Sequence, residues 1–177
     1  MSLVASALVL AGCGASGEPD ATASPATYAV PDVPVSVTAP AGWERLTQDG
    51  AFAVRSPDGF GDPAFQADVV VTGEAAGGPL DDAGAATAER VAAIDGWVPD
   101  AEGQGATTLG ETPAYRVSGT VDVGGTPVAQ EVLLVGSTAA DGEPWTVYLT
   151  ASHAVEDATG AEQARSVLTS VQVTPAG

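Results

Sequence analysis

The feature that most constrains this fold is a run of three strand-forming segments separated by two glycine-containing turns. The segments are residues 115–123, 127–137 and 145–152. Gly124-Gly125 and Asp141-Gly142 separate them, and such dipeptides are strong hairpin signals because glycine adopts the positive φ that tight turns require. The pattern therefore predicts an antiparallel meander of three strands.

Three further strands are predicted in the N-terminal half. In the first, Val33, Val35 and Val37 alternate with polar residues or proline, which is typical of a half-buried strand. The second covers residues 51–55 and is expected to end at the Ser-Pro-Asp-Gly turn that follows. The third covers residues 65–72, and its three consecutive valines are typical of a strand in the middle of a sheet.

Two helices are predicted, at residues 80–94 and 157–168. Carboxylates at Asp81 and Asp82 suit the positive end of the first helix dipole. Apolar and small residues at helical spacing predict the buried face of each helix. These are Ala83, Ala86 or Thr87, Val91 and Ile94 in the first helix, and Ala161, Ala164 and Leu168 in the second.

A short strand at residues 171–174 is expected to close the chain. The order is then strands, helix, strands, helix and strand, with hairpins dominating. This order predicts an α+β fold in which helices flank an antiparallel β-sheet, rather than a doubly wound parallel sheet.

The N-terminal end carries a separate signal, a short apolar run that ends in Leu10-Ala11-Gly12-Cys13. The run is shorter than the roughly 20 apolar residues of a membrane span. Its last four residues resemble the lipobox of bacterial lipoproteins, in which small residues enter the peptidase cleft and the cysteine carries a diacylglycerol group. We therefore expect cleavage before Cys13 and lipid attachment at its thiol. No Lys or Arg precedes the run, which a translation start further upstream would explain.

Three segments follow from this interpretation. Residues 1–12 are a lipoprotein signal peptide, residues 13–30 are the lipidated cysteine with a flexible tether, and residues 31–177 are a single α+β domain. The tether is rich in small, polar and proline residues, which cannot bury enough apolar surface to fold. Acyl chains would hold the protein on the outer face of the cytoplasmic membrane.

Charge and motif content exclude several classes of function. The chain has 5 Arg, no Lys and 23 acidic residues, for a formal net charge of −18, so it would be repelled by nucleic acid. Cys13 is the one cysteine, so an internal disulfide is impossible. The sequence has neither a calcium-loop nor a phosphate-loop motif, and we predict no metal, no cofactor and a monomer.

Several segments together resemble a known family. These are a Pro-Ala-Gly-Trp turn at residues 40–43, the strand at 65–72 with the helix after it, a Thr-Pro-Ala-Tyr segment at 112–115, and the final helix and strand. Over residues 28–174 the chain resembles the LpqN/LpqT-type actinobacterial lipoproteins, which are similar in fold to the Mog1/PsbP group. The resemblance implies a Mog1/PsbP-like α/β/α sandwich at the cell surface, and it carries no catalytic residues.

Few side chains are candidates for chemistry. His153 is the one histidine, so a nucleophile activated by a histidine base would have to use it. Trp97, Trp145 and Tyr148 lie at or near the ends of elements, where aromatic residues could rim a ligand groove. We therefore take Trp97, Trp145, Tyr148 and His153 as candidate ligand-binding residues and assign no catalytic residue. Trp43 is expected to pack in the core.

The sequence favours a non-enzymatic binding or scaffold domain of the cell envelope, with an unknown protein or small-molecule ligand. Two alternatives stay open. One is a cell-envelope hydrolase that uses His153 with a serine or a carboxylate. The other is a carrier of a small apolar ligand held between the helix and sheet layers.

Overall fold

A computed structural model describes residues 24–62, 64–75 and 78–173. The predicted signal peptide, Cys13 and most of the predicted tether lie outside the described residues. So does Thr174, the predicted end of the last strand.

The described chain forms ten β-strands and two α-helices. In chain order they are β1 (Ala26–Ala29), β2 (Val35–Ala39), β3 (Glu44–Gln48), β4 (Ala51–Phe60), β5 (Phe65–Ala75), α1 (Leu80–Ala92), β6 (Val98–Leu109), β7 (Thr112–Val123), β8 (Thr126–Thr138), β9 (Pro144–Ala154), α2 (Ala158–Thr169) and β10 (Gln172–Val173).

The strands make two antiparallel sheets. The main sheet has seven strands in the order β3-β4-β5-β9-β8-β7-β6, and the small sheet has the order β1-β2-β10. The predicted meander is confirmed as β7, β8 and β9, which pair in sequence. β5 lies between β4 and β9, so its predicted interior position is also confirmed. The predicted α+β class with an antiparallel sheet and flanking helices is correct.

The two helices lie on opposite faces of the main sheet. In β8, Leu133 and Val135 belong to the core that includes residues of α2, whereas Val132 and Leu134 belong to the core that includes Val91 of α1. This alternation follows from the two-residue period of a strand. We call the two sides the α1 face and the α2 face.

The core on the α2 face is the larger one. It joins α2 and the small sheet to the main sheet through residues such as Val37, Val69 and Val167. Trp43 is 6% exposed within it, as predicted, and its indole Nε1 donates a hydrogen bond to Gln163 Oε1 at 3.2 Å. The α2 face is therefore closed over most of its length.

The predicted end of the second strand was wrong. β4 continues through Ser56 and Pro57 to Phe60, with a register shift against β5 between Arg55 and Gly59. Gln66 Nε2 donates hydrogen bonds to the carbonyl oxygens of Ser56 and Pro57. These two carbonyl groups lie within the register shift, and the Gln66 side chain gives them hydrogen-bond partners. A proline inside a strand is tolerated at such a bulge.

Two strands lie where the sequence predicted none. One is β6, which begins at Val98 and ends at Leu109. Its first half contains Pro99, Gly103 and a register shift against β7 between Pro99 and Gln104, which conceal the period-two pattern. β1 occupies residues of the predicted tether, because it pairs with β2 along its full length.

The helices match their predicted positions, with one change in the buried face of α1. Thr87 and Val91 are buried as expected, but Ile94 is 44% exposed because the helix ends at Ala92. Gly84 is buried instead, against the ring of Tyr115. In α2, Ala164 and Leu168 are buried, as predicted.

Candidate functional site

Helix α1 covers only part of its face of the main sheet. It packs mainly on β6, β7 and β8, and the adjoining part of the face, built by β5, β9 and the near side of β8, is left uncovered. We call this uncovered area the open face. It holds two grooves, of about 400 Å³ and about 340 Å³, which share Gln130 and Thr150 and so adjoin each other.

The groove beside α1 is lined mainly by polar groups, and we call it the helix groove. Its lining includes Thr72, Glu74, Arg90 and Tyr148. The Tyr148 hydroxyl donates a hydrogen bond to Glu74 Oε1. Burial, and then the hydrogen bond and negative charge of Glu74, raise the pKa of Tyr148 to about 12, while Arg90 acts in the opposite direction. Tyr148 is therefore held as a neutral hydrogen-bond donor.

The second groove has an apolar wall, and we call it the valine groove. Val70, Val121, Val123 and Val128 line it. They come from three strands, yet they reach one groove because β5, β8 and β7 present alternate residues to the same face. Val123 is 47% exposed, so this wall is open to solvent.

A row of hydrogen-bonding side chains crosses the floor of the open face. Gln48, Arg55, Asp68, Ser152 and Gln130 come from five neighbouring strands, and we call them the polar belt. Arg55 Nη2 donates to Gln48 Oε1 at 2.6 Å and lies 3.7 Å from Asp68 Oδ2. Asp68 is hydrogen-bonded to Ser152, and Gln130 Nε2 donates to Ser152 Oγ at 3.3 Å. The belt gives the floor both donors and acceptors.

Asp68 is the most buried charged member of the belt, at 8% exposed. Burial raises its pKa from the usual 3.8, and the Arg55 charge and the hydrogen bond with Ser152 offset this only in part. The carboxylate has lost more solvation than its neighbours restore. It is therefore an acceptor that a further donor from a ligand would stabilise.

The four candidate residues do not share one site. Tyr148 lies in the helix groove, and Trp97, also on the α1 face, packs with the α1 core and over Gly119. Trp145 lies on the α2 face near Gly73. His153 is also on the α2 face, in line with Ala151 along β9.

His153 lines a third groove, of about 160 Å³, between α2 and the main sheet. Asp100, Glu131 and Arg165 line it as well, and Glu131 is paired with Arg116 at 3.0 Å. His153 Nδ1 lies 2.9 Å from the carbonyl oxygen of Ala154. Ser152, the neighbour of His153 in sequence, points to the opposite face, so these two side chains cannot act as a nucleophile and its base.

The described ranges contain neither a cluster of metal-binding side chains nor a membrane-spanning helix. No group of three or more His, Cys, Asp or Glu side chains in residues 24–62, 64–75 and 78–173 is placed to hold a metal ion. In the same ranges no helix has both the length and the hydropathy to cross a membrane.

Sequence reasoning missed the polar belt and the pair of Glu74 with Tyr148. The two-residue period of β5 was a usable signal, because it places Asp68, Thr72 and Glu74 on one face and Val69 and Val71 on the other. The sequence does not indicate which part of that face α1 covers.

The arrangement of the main sheet, α1 and α2 is that of the Mog1/PsbP-like α+β fold. Among solved structures, the chain is similar to LpqN of Mycobacterium tuberculosis, with a TM-score of 0.62 and 14% identity over 90% of this chain and 88% of that one. It is also similar to the cyanobacterial PsbP of Synechocystis, with a TM-score of 0.54 and 19% identity over 93% and 98% of the two chains. The Ran-binding protein Mog1p of Saccharomyces cerevisiae gives a TM-score of 0.50 and 13% identity over 86% and 97%.

At these identities the likeness shows the fold. No family model matches the chain, and no curated protein matches it in sequence.

Proposed function

We propose that this protein is a lipid-anchored, non-enzymatic binding domain of the cell envelope, and that the open face is its binding surface. One observation carries the proposal. Helix α1 covers part of the α1 face and leaves two adjoining grooves beside it. Concave surfaces with an apolar wall and a few convergent polar groups are typical of ligand sites.

The lining of the two grooves indicates what kind of ligand would fit. The helix groove offers Glu74, Arg90 and Tyr148, and the polar belt adds Arg55 and Asp68. These charges cancel locally, two positive against two negative. A ligand that filled both grooves would carry an uncharged hydrogen-bonding part and an apolar part against the valines. The valine groove alone supports the alternative of a carrier for a small apolar ligand.

In the helix groove, the pKa of Tyr148 favours binding over catalysis. A general acid or base works best with a pKa near the working pH. Tyr148, with its pKa raised to about 12, has been moved away from that range. The hydrolase alternative relies instead on His153, on the other face, with Asp100 and Glu131 as the carboxylates of its groove. If that alternative holds, His153→Ala will abolish turnover of envelope material.

The anchor rests on the lipobox-like Leu10-Ala11-Gly12-Cys13. A structure of similar fold, LpqN, belongs to a protein involved in cell envelope biogenesis, which agrees with an envelope location. The test is Cys13→Ser, which should move the protein from the membrane fraction to the soluble extracytoplasmic fraction. Continued membrane association of the variant would contradict the anchor.

Photo-crosslinking in cells tests the binding surface. A benzophenone side chain at Thr72, in the helix groove, should form an adduct with a cellular molecule. The same group at Thr169, exposed at the end of α2 on the opposite face, is the matched control and should not. Equal adducts from both positions, or adducts from Thr169 alone, would contradict the proposal.

A further inference from the structure

β6 is an outer strand of the main sheet and the longest outer strand in the described chain. It spans 12 residues, and its strand neighbour in the described chain is β7. An edge strand presents a row of backbone N–H and C=O groups to the outside, which is a template for pairing with another strand. Natural edges are therefore kept short, charged, bulged or interrupted by proline.

The other outer strands have such protection. β3 has five residues and begins with Glu44 and Arg45, while β1 has four residues and β10 has two. In β6 the first half is interrupted by Pro99 and by the register shift that ends at Gln104. Protection is therefore confined to the first half of β6.

The second half of β6 has no charge, proline or register shift, and its one irregularity is Gly105, whose φ is +109°. Residues 104–109 pair with β7 without a break, and they contain neither a charged residue nor a proline. The exposed side chains are Gln104, Ala106 and Thr108, of which two are small enough to leave the edge accessible. Six residues extend about 20 Å, enough for a strand of ordinary length.

The charges that flank this segment indicate whether a second copy of this chain or a different protein would pair with it. Glu102 and Glu111 are both exposed, one on each side of it. If two copies of the chain paired antiparallel with all six residues aligned, residue 104 would face residue 109 and Glu102 would face Glu111. Like charges that face each other across a strand pair are destabilising, and each copy also carries a net charge of −18. Self-pairing is disfavoured.

We propose that residues 104–109 of β6 are a docking edge for an extended segment of another protein, which adds an eighth strand to the main sheet. The segment has an uncharged centre and a basic residue on each flank, opposite Glu102 and Glu111. Main-chain hydrogen bonds supply the affinity in this mode of recognition, and the flanking charges set the partner and its register. This surface is separate from the open face.

A synthetic peptide tests the edge with the full chain. The probe is Lys-Thr-Val-Thr-Val-Thr-Val-Thr-Val-Lys, whose two lysines face Glu102 and Glu111 when its eight central residues pair with residues 103–110. The measurement is hydrogen exchange of the amides of residues 104–109. We expect the peptide to slow their exchange. Two versions of the peptide, N-methylated at alternate sets of residues, should differ, since only one set of N–H groups faces the edge. Equal binding of both versions, or protection confined to other strands, would overturn the proposal.

Charge reversal tests the proposed pairing of Glu102 and Glu111 with basic residues of the partner. A peptide with terminal Glu in place of Lys should bind roughly tenfold more weakly, as two cross-strand charge pairs predict. The double variant Glu102→Lys with Glu111→Lys should reverse this preference, whereas Glu44→Lys at the opposite edge should leave it unchanged. The proposed docking edge would be refuted if the double variant still preferred the peptide with terminal Lys. A dimer of the chain alone, joined through residues 104–109, would refute it as well.

Discussion

Asp68 on β5 and Ser152 on β9 face each other in register on the open face and share a hydrogen bond. They are 8% and 7% exposed, although α1 packs mainly on other strands. A buried carboxylate with a partner charge no nearer than 3.7 Å contributes little to stability. Its position at the centre of the polar belt is better explained by binding than by folding.

The first prediction concerns the pH dependence of stability. The pKa of Asp68 is higher in the folded chain than its usual 3.8, so the folded state holds this proton more tightly than the unfolded state. Ionisation of Asp68 therefore costs stability at neutral pH, and the cost disappears as the pH falls through the folded pKa towards about 4.

Asp68→Asn should accordingly match or exceed the parent chain in stability at neutral pH. Denaturant unfolding at a series of pH values measures the difference, which should shrink as the pH falls. A loss of stability of about 2 kcal/mol or more at neutral pH would show that the ionised Asp68 stabilises the fold.

The second prediction concerns the hydroxyl of Tyr148. Glu74→Gln removes the charge that raises the pKa of Tyr148, so the pKa should fall from about 12, while burial, the larger cause, keeps it above the usual 10.0. Arg90→Ala should raise it, because Arg90 favours the tyrosinate. The ring signals of Tyr148, followed by NMR against pH, report both changes. Shifts in the same direction for the two variants would contradict this account of the helix groove.

The third prediction concerns the docking of α1. A Cβ placed on Gly84 would clash with the ring atoms of Tyr115. Gly84→Ala should therefore destabilise the fold by about 1–3 kcal/mol, although alanine in an exposed helix position would favour it by about 1 kcal/mol. Gly136→Ala, where a Cβ meets nothing within 4 Å, is the control and should change stability by less than about 0.5 kcal/mol. Equal changes in the midpoint of denaturant unfolding for Gly84→Ala and Gly136→Ala would argue against close packing of Gly84 on Tyr115.

The fourth prediction compares two tryptophans. Trp43→Phe loses the hydrogen bond from Nε1 to Gln163 and should lower the free energy of unfolding by about 1 kcal/mol beyond the change in packing. Trp145 Nε1 is buried and has no hydrogen-bond partner within the described ranges, so Trp145→Phe removes an unsatisfied donor and should cost less. Thermal unfolding of the two variants side by side measures the difference, and a larger loss for Trp145→Phe would contradict it.

Much of the fold could be predicted from local pattern. The turns at Gly124-Gly125 and Asp141-Gly142 predicted the β7–β9 meander, and helical periodicity placed both helices. Asp157, read as a residue of a helix start, is the N-cap of α2 and accepts a hydrogen bond from Gly160 N at 2.8 Å. Such features depend on residues close in sequence.

The candidate site could not be predicted in the same way. The polar belt takes one residue from each of five strands, and Gln48 and Ser152 are brought together only by the strand order and register of the sheet. The register of the strands in turn depends on β-bulges and similar irregularities, such as the register shift between Arg55 and Gly59. Trp145 and Tyr148, which both lie on β9, point to opposite faces because they are an odd number of residues apart in a strand.

The most direct test of the account is native mass spectrometry of the full chain, purified from membranes in a mild detergent. The open face predicts a bound molecule of defined mass, which Thr72→Trp in the helix groove should displace and Thr169→Trp on α2 should retain. Apo protein alone in the parent chain, or a bound molecule that both variants retain equally, would contradict the proposal that the open face is the binding surface.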